Sequence, residues 1–525
     1  MRGTSVRRAQ FISADEAARV ICDGNTVALV GGGGGLLEAA HLFEAIERRF
    51  LAAGEPRNLT LIHALGLGDR NTTGLNRFAH EGLVAKVVGG HWVWSPRMQA
   101  LAREEKIAAY VLPAGVLMQL FREIGAGRPG LLSHVGLGTF IDPRIEGGRM
   151  NHSARETLVE YVTIAGRELL LYRAFPIHVA IVRGSLADED GNISVQNEAA
   201  KLDVQAVALA ARNSGGKVIV QVKHRVPAGS IPAHQVHIPA AWVSAIVVDP
   251  KQRITYDIER DAAINGSQRC APSPQAPAVL DVREVIARRA FREISDGAVV
   301  NFGFGIPDAV ARLLVERGQQ QRVFTTIEHG IYGGELMTGM QFGFSRNASA
   351  MIDAPTQFDF YSGGGLDLAF LGFGEIDGRG DVNVSKLNGT PIGPGGFIDI
   401  AHNARRVVFC GTFDTRGAQV SVGNGRLSIL RPGTIRKLVR KVEQISFSAA
   451  SARSRGQEIT YVTERAVFRL LDGSVTLTEV APGLDIRRDI LDQMDFQPQV
   501  LSAPLLMNAA DFGADPAAQG SSQIS

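Results

Sequence analysis

The pattern of apolar and polar positions predicts strands that alternate with helices along most of the chain. Ser13-Ala14-Asp15-Glu16 has the form of a capping box, which predicts a helix that runs to about Cys22. Short apolar runs at residues 27–30, 218–222 and 323–327 are rich in β-branched side chains. Such runs are typical of buried strands in parallel sheets. The alternation predicts an α/β fold with open sheets.

The chain contains an internal duplication. Residues 22–35 and 294–307 share the succession of an Asp-Gly turn, an apolar strand and a glycine-rich loop. Residues 178–195 and 367–384 form a second matching pair, in which an apolar strand leads to a turn with glycine and aspartate. The first half carries extra sequence between its matched segments, so an insertion is predicted at about residues 89–171. Two homologous α/β domains are the simplest account.

Composition also marks the domain boundaries. A small, polar and proline-rich stretch lies near the middle of the chain, as expected for a linker. The predicted units are an N-terminal domain at 1–265, the linker at 266–279, a C-terminal domain at 280–507 and a flexible tail at 508–525.

Charge and cysteine content exclude several classes of protein. The 525 residues include 55 Lys and Arg against 53 Asp and Glu, so no net field attracts nucleic acid or membranes. The three cysteines are scattered and lack CxxC spacing. Their pattern predicts a protein of a reducing compartment that has neither a disulfide framework nor a zinc site. Neither a signal core nor an apolar run of about 18–20 residues is present. A cytoplasmic location is predicted.

Glu328 occupies the most unusual position in the sequence. It follows the predicted strand at 323–327 and precedes a glycine-rich segment that includes Gly333 and Gly334. Carboxylates are seldom buried unless paired, whereas glycines let a ligand approach the backbone closely. A carboxylate held there can act as a nucleophile towards an activated acyl group. On position alone, an ordinary surface glutamate in a turn is the commoner outcome, and both interpretations stay open.

Two glycine loops precede predicted helices. The first contains Gly31, Gly32, Gly33 and Gly34 and suits either a ligand contact or a tight turn. Neither this loop nor the one at 303–307 fits GxGxxG, and no GxxxxGK[ST] or GxSxG pattern occurs. These absences argue against a dinucleotide-dependent oxidoreductase, a P-loop protein and a serine hydrolase.

Other candidate groups carry weaker signals. His234 and His237 have no neighbouring Cys, Asp or Glu in sequence, so structural or solvated histidines are favoured and no metal site is predicted. Basic residues cluster late in the chain, and they suit a solvated helix face or a phosphate-rich ligand. They are Arg436, Lys437, Arg440, Lys441, Arg453 and Arg455.

A third glycine element strengthens the interpretation of Glu328 as a nucleophile. Residues 393–399 begin Gly-Pro-Gly-Gly, and the successive N–H groups of Gly395 and Gly396 are suited to stabilising an oxyanion. This loop, Glu328 and the duplicated architecture form a combination of features that favours a catalytic role for Glu328.

The chain resembles the family I coenzyme A-transferases along nearly its full length. It is most similar to the single-chain CoA-transferases that act on short-chain acyl-CoA, acetate and 3-oxoacids, in which two homologous subunits are fused. Their motifs match, in chain order, residues 89–92, 327–330 with 333–334, 362–367, 380–385, 393–397, 461–468 and 479–483. In the ketoacid branch, Asn typically follows the nucleophile. Here His329 stands at that position, which bears on the substrate.

The resemblance implies a ping-pong reaction through a glutamyl-CoA thioester on Glu328. The implied substrates are short-chain acyl-CoA thioesters and acetate, propionate, butyrate or 3-oxoacids; coenzyme A is a substrate and no cofactor is needed. The implied roles are oxyanion or CoA binding for Gly395 and Gly396, and acyl-pocket or loop contacts for Gly31, Gly32, Gly33, Gly34, Gly333 and Gly334. A homodimer or homotetramer is expected, without nucleic acid or membrane partners.

Two other functions would suit the same fold. A thioesterase would share the glutamyl intermediate but let water finish the reaction. A non-catalytic sensor of CoA or sugar phosphates would be expected to lack the nucleophile. Bulky residues near Glu328 are candidates either for the wall of a small acyl pocket or for ordinary core. They are Tyr332, Met337, Met340 and Phe342.

Overall fold

The computed structural model describes residues 9–271 and 278–514, which form two compact units. The first unit joins the described residues up to Cys270 with two later segments, Ile327–Phe360 and Gly389–Asp399. The remaining described residues form the second unit. Glu328 is therefore grouped with the N-terminal half of the sequence. Residues 272–277 of the predicted linker and 515–525 of the predicted tail lie outside the described residues.

A parallel five-stranded core organises the first unit. Its strands are β1 (Thr26–Leu29), β2 (Leu59–His63), β3 (Val179–Arg183), β4 (Lys217–Val222) and β5 (Ala245–Val248), in the spatial order β2-β1-β3-β4-β5. Every residue of β3 is buried, as expected for a central parallel strand covered on both faces. Val84–Gly89 and Ala108–Tyr110 extend the β2 edge, and Gln10–Phe11 pairs with β5.

Helices and smaller sheets complete the first unit. The helices are Ala14–Arg19, Ala40–Ala53, Pro96–Arg103, Ala114–Gly125 and Val204–Asn213, with Ala354–Ser362 and Phe397–Asn403 beginning in it. The further strands are Gly130–Ser133, Val159–Ile164, Arg167–Arg173, Leu186–Asp188, Ile193–Ser194, His224–Val226, Val236–Ile238, Ile331–Tyr332, Glu335–Leu336, Ser345–Arg346, Ala350–Met351 and Thr390–Pro391. The predicted capping box at Ser13 is present.

The second unit repeats the same core. Its strands are β6 (Val299–Phe302), β7 (Phe324–Ile327), β8 (Leu368–Gly372), β9 (Arg406–Cys410) and β10 (Glu458–Val462), in the order β7-β6-β8-β9-β10. Each pair is parallel. The strand order matches that of the first unit position by position. The prediction of two homologous open α/β sheets is therefore confirmed.

Shorter elements surround this second core. The helices are Val282–Phe291, Ile306–Glu316, Ala449–Ser454 and Ile486–Asp489. The further strands are Glu375–Asp377, Val382–Asn383, Lys386–Leu387, Asp414–Thr415, Gln419–Gly423, Arg426–Arg431, Ile435–Arg436, Leu438–Val439, Ala466–Leu471, Ser474–Val480 and Gln499–Leu506. Among the described residues, no helix combines the length and apolarity that crossing a bilayer requires.

The chain stays ordered beyond the predicted start of the tail. Asn508 caps a single 3₁₀ turn at Ala509–Phe512, and the Phe512 side chain is fully buried. Asp511 forms an ion pair with Arg292 at 2.7 Å. The expectation of a flexible tail from residue 508 is therefore wrong for residues 508–514, because one buried aromatic ring and one ion pair hold this segment in place.

Candidate active site

A tight turn presents Glu328 directly after strand β7. The N–H of Gly330 donates to the carbonyl of Ile327 at 3.0 Å and closes the turn. Gly330 has a φ of +87°, and a β-carbon there would lie 2.2 Å from the carbonyl oxygen of Ile352. The glycine is required both by its backbone conformation and by this close approach. The turn therefore places the carboxylate at the carboxyl end of a parallel strand.

The Glu328 carboxylate lies against the backbone of Gly396. A β-carbon at Gly396 would be only 1.8 Å from Oε2 of Glu328 and 3.0 Å from the ring of Phe358. The N–H of Gly396 donates a hydrogen bond to the carboxylate. The Glu328 side chain is 18% exposed. Burial raises the pKa of Glu328 to about 7, and the Gly396 hydrogen bond opposes that rise only in part.

The glycine loop at 393–396 is held by the motif Gly89-Gly90-His91-Trp92. The N–H of Gly395 donates to the carbonyl of Gly90 at 2.9 Å, and the N–H of Trp92 donates to the carbonyl of Ile392 at 2.7 Å. Gly393 has a φ of +74° and no room for a side chain against Gly90. The structure thus brings Gly396 to Glu328, whereas the N–H of Gly395 is already used within the protein and is not available to an oxyanion.

His329 lies beside the carboxylate as a neutral group. Its Nε2 is 3.8 Å from Oε1 of Glu328, beyond hydrogen-bond distance. The imidazole is buried against Gly343, where a β-carbon would approach the ring to 2.2 Å. Burial lowers the pKa of His329 to about 4, so the ring carries no charge near neutral pH.

The loop at Gly31–Gly34 is closely packed on several sides. A β-carbon would meet the Trp94 ring at 2.2 Å from Gly33 and the Met340 carbonyl at 2.3 Å from Gly34. The N–H groups of Gly32 and Gly34 donate to the carbonyls of Leu36 and Gly68. Close packing therefore explains why both Gly33 and Gly34 lack a side chain. The loop lies against Met340, which belongs to the segment that follows Glu328.

A buried network of hydrogen bonds and ion pairs holds the loop at Gly31–Gly34 in place. Oε2 of Glu38 accepts the Tyr256 hydroxyl at 2.5 Å, and Oε1 accepts the N–H of Gly68 at 2.8 Å. Arg183, at the end of β3, pairs with Glu198 at 2.6 Å and donates to the carbonyls of Gly35 and Glu38. Burial raises the pKa of Glu38 to about 7. Such satisfied buried networks make a loop rigid.

Gly333 and Gly334 have a structural reason to be glycine. Their φ values are +68° and +80°, and β-carbons there would lie 2.5 Å from Oγ of Ser349 and 2.3 Å from the Arg346 carbonyl. They separate the short strands Ile331–Tyr332 and Glu335–Leu336. The candidate pocket residues are half-buried rather than core: they are Tyr332, Met337, Met340 and Phe342.

The remaining candidates do not converge on Glu328. His234 is exposed, and Nε2 of His237 lies 3.2 Å from Asp353. In the described parts of the chain, no three His, Cys, Asp or Glu side chains are grouped as a metal site. The basic residues are dispersed: Arg436 pairs with Asp495, and Lys437 lies over the ring of Phe373.

Sequence reasoning missed the neighbours that hold the glycine loop. Gly90 was part of a recognised motif, but its long-range bond to Gly395 has no local signal. Asp399, three residues after Gly396, is fully buried among the apolar neighbours Ile398 and Ile400. A carboxylate inside an apolar run was the available signal, because such a group is rarely buried without partners.

Fold and site together define an α/β enzyme with a largely buried carboxylate at the end of a parallel strand. Residues 11–249 match the family described as Coenzyme A transferase. The chain is 39% identical to the acetate CoA-transferase YdiF of Escherichia coli O157:H7 over 96% of this chain and 95% of the relative. It is 44% identical to the caffeate CoA-transferase of Acetobacterium woodii over 94% and 95%.

Solved structures agree with these sequence relatives. Crystal structures of E. coli O157:H7 YdiF, as the apoenzyme and as a thioester complex with CoA, match with TM-scores of 0.92 and 0.91. Both are 38% identical, and each match covers 96% of both chains. The chain belongs to the coenzyme A transferase family. It is a CoA-transferase, as the sequence resemblance predicted.

Proposed function

We propose that this enzyme transfers coenzyme A between acyl-CoA thioesters and free carboxylic acids, with Glu328 as the covalent carrier. The observation that carries the proposal is the Glu328 carboxylate, which is only 18% exposed and hydrogen-bonded to the N–H of Gly396. Partial burial removes much of the water that would otherwise solvate the anion and compete with it as a nucleophile. Thioester and carboxylate exchange with little net change in free energy, so the proposed reaction needs neither ATP nor a cofactor.

The first half-reaction loads the enzyme. An oxygen of Glu328 attacks the acyl carbonyl, the carbon–sulfur bond breaks, and CoA leaves as the thiolate. The mixed anhydride then receives the thiolate at its glutamyl carbonyl, and the acyl group departs as a carboxylate. A glutamyl-CoA thioester remains on Glu328. No net proton is consumed or released.

The second half-reaction reverses these steps with another acid. The incoming carboxylate attacks the glutamyl thioester, and CoA leaves again as the thiolate. The thiolate then attacks the acyl carbonyl of the new anhydride. This breaks the anhydride bond, restores the Glu328 carboxylate and releases the new acyl-CoA. Because the first acid must leave before the second reacts, the kinetics are ping-pong.

We assign the oxyanion contact to Gly396 alone. Each attack on the glutamyl carbonyl develops negative charge on an oxygen of Glu328, and the Gly396 N–H already points at that side chain. A donor placed there in advance stabilises the charge without reorganisation. Gly395 acts differently, since its N–H is bound to Gly90 and holds the loop in position.

The comparisons support this chemistry and widen the choice of acids. YdiF, whose structure is described as a thioester complex with CoA, covers nearly the whole chain. We propose acetate, propionate, butyrate or 3-oxoacids as substrates. Because one relative is a caffeate CoA-transferase, an aromatic acid should also be tested as a substrate. A homodimer or homotetramer and a cytoplasmic location stay predictions of the resemblance.

Covalent trapping tests the proposal. The enzyme is incubated with acetyl-CoA, treated with borohydride or hydroxylamine, and digested for mass spectrometry. The peptide that contains Glu328 should carry the reduced or hydroxamate product. Glu328→Gln, which keeps the side-chain volume, should show neither labelling nor transfer. Glu104→Gln removes an exposed carboxylate in the same unit and should leave both unchanged.

The outcome also separates the alternatives. Labelling at another residue, or full transfer by Glu328→Gln, contradicts Glu328 as the carrier. Labelling at Glu328 with release of free acid but no transfer to acetate, propionate, butyrate, acetoacetate or caffeate indicates a thioesterase. Binding of CoA without any labelling or turnover indicates a sensor.

A further inference from the structure

Asp399 is a second buried carboxylate close to the proposed nucleophile. It is fully buried, three residues after Gly396. Oδ2 accepts the N–H of Gly115 at 3.1 Å, and Oδ1 accepts the N–H of Val116 at 3.2 Å. These donors belong to the first turn of helix Ala114–Gly125, whose N–H groups have no partners within the helix. Both carboxylate oxygens are thus occupied by one helix terminus.

The same helix terminus also binds the other end of the glycine loop. The N–H of Ala114 donates to the carbonyl of Gly395 at 2.9 Å. Three successive N–H groups of the helix therefore hold Gly395 and Asp399. Gly396, the donor to Glu328, lies between these two fixed points.

Close packing at Gly115 and Gly396 adds to these hydrogen bonds. A β-carbon at Gly115 would lie 2.3 Å from the ring of Phe358 and 2.6 Å from Oδ1 of Asp399. The same Phe358 ring lies beside Gly396. Catalytic donors must hold their geometry to within about 0.5 Å. The bonds from the helix to Asp399 are polar contacts that hold this position from the C-terminal side of Gly396.

We infer that Asp399 is a positioning residue, which anchors the loop to helix Ala114–Gly125 and thereby fixes the Gly396 N–H on Glu328. The inference rests on the proposed function, because the Gly396 contact matters only if Glu328 reacts. Asp399 touches no reacting atom in this role. It acts through the backbone of Gly396.

The neighbouring charges determine how the role can be measured. Among the described residues, the titratable groups around the loop and the carboxylate include His329, His91, Asp399 and Tyr172, which interacts electrostatically with Asp399. Burial lowers the pKa values of His329 and His91 to about 4, so both rings stay neutral in the working range. Burial raises the pKa of Asp399 well above its usual value, and the charge of Glu328 adds to that rise.

The role predicts a specific change in pH dependence. The Gly396 hydrogen bond stabilises the Glu328 anion and so lowers the pKa of that carboxyl. Loss of the anchor therefore raises the pKa of Glu328, whereas removal of the Asp399 charge, which interacts with that of Glu328, lowers it. Two variants that both lack the Asp399 charge isolate the effect of the anchor, since the acid limb of kcat/KM then lies at higher pH in the variant without an acceptor oxygen.

The experiment compares Asp399→Leu, Asp399→Asn and the wild type. We expect Asp399→Leu to lower kcat by about 10²-fold, as for loss of an oxyanion donor, with KM for acyl-CoA nearly unchanged. Asp399→Asn keeps one acceptor oxygen and should recover part of the loss. The acid limb should lie at higher pH in Asp399→Leu than in Asp399→Asn, since neither variant carries the charge and only the Asn variant keeps an acceptor. Asp203→Asn is the matched control, because Asp203 is a buried aspartate directly before helix Val204–Asn213 in the same unit.

Each result decides one question. A wild type that transfers CoA, with Asp399→Leu and Asp399→Asn variants that both keep the wild-type kcat and share one acid limb, overturns the positioning role. Should Asp399→Leu fail to fold, Asp399→Ala serves as the variant without an acceptor oxygen. A wild type that neither transfers CoA nor becomes labelled at Glu328 overturns the proposed function instead.

Discussion

Gly396 and Glu328 are so close that one methyl group cannot lie between them. A β-carbon on Gly396 would lie 1.8 Å from Oε2 of Glu328, far inside van der Waals contact. The glycine therefore does two things at once: its N–H binds the carboxylate, and its missing side chain leaves space for it. Every other residue type would have to displace either the loop or the nucleophile.

Gly396→Ala should lower kcat by about 10²–10³-fold, the usual effect of losing an oxyanion donor, with a smaller change in KM for acyl-CoA. Steady-state kinetics on the folded variant measure it. Gly423→Ala is the control, since a β-carbon at Gly423 has no heavy atom within 4 Å. A folded Gly396→Ala enzyme with wild-type kcat would contradict the proposed contact.

The rate should depend on pH through Glu328. Because burial raises its pKa to about 7, the fraction present as carboxylate falls as the pH drops below that value. We expect kcat/KM for acyl-CoA to fall about tenfold per pH unit between pH 6 and 5, and to level off above about pH 8. A profile that stays flat down to pH 5 would mean that the carboxyl has its ordinary pKa.

Glu328→Gln should stabilise the protein at high pH. A carboxyl whose pKa is raised on folding stabilises the fold below its unfolded value near 4.5, and that contribution is lost as the pH rises through about 7. The neutral amide avoids this loss. The free energy of unfolding of Glu328→Gln should exceed that of the wild type by about 3 kcal/mol at pH 8. Denaturant titration at pH 4 should show little of that difference.

Two neighbouring glycines in the first loop should respond differently to alanine. In Gly33→Ala the new methyl would lie 2.2 Å from the Trp94 ring, so we expect a loss of about 1–3 kcal/mol in stability from overpacking. In Gly32→Ala the nearest atom is 3.4 Å away, and stability should be nearly unchanged. Thermal unfolding of both variants measures the contrast. Equal effects would contradict the packing described for Trp94.

Initial rates with two substrates should give parallel double-reciprocal lines, because the enzyme carries CoA alone between the half-reactions. Intersecting lines would indicate a ternary complex.

Among acids, we expect kcat/KM to decline gradually from acetate, propionate and butyrate to hexanoate, at about 1–3 kcal/mol per misplaced methylene. Acetoacetate and caffeate complete the panel. A strong preference for hexanoate or caffeate would replace the short-chain proposal.

Much of the fold could be predicted from local sequence. The β-branched runs and Asp-Gly turns around Asp23 and Asp296 recur in the same order, and the two five-stranded cores share one strand order. The position of Glu328 directly after a strand was also visible, because β7 ends at Ile327. Periodicity and turn chemistry act over a few residues, so a single sequence displays them.

Contacts between distant segments could not be predicted in this way. The sequence places Gly395 and Gly396 side by side as equivalent donors, yet Gly90 takes the N–H of one and leaves the other facing Glu328. The anchor at Asp399 likewise depends on a helix that begins at Ala114. The small, polar composition from residue 508 onwards predicts a flexible tail. Burial of a single ring, Phe512, is enough to pack the start of this segment, and composition does not show that burial.

The loop beside Glu328 belongs to the second copy of the internal duplication, and the groups that hold it, Gly90 and the start of helix Ala114–Gly125, belong to the first. Neither copy can therefore change this region independently, since an altered backbone in one displaces a donor in the other. Separate chains would have to find each other before a competent site existed. Covalent fusion instead keeps the copies in equal number, at an effective concentration on the order of millimolar.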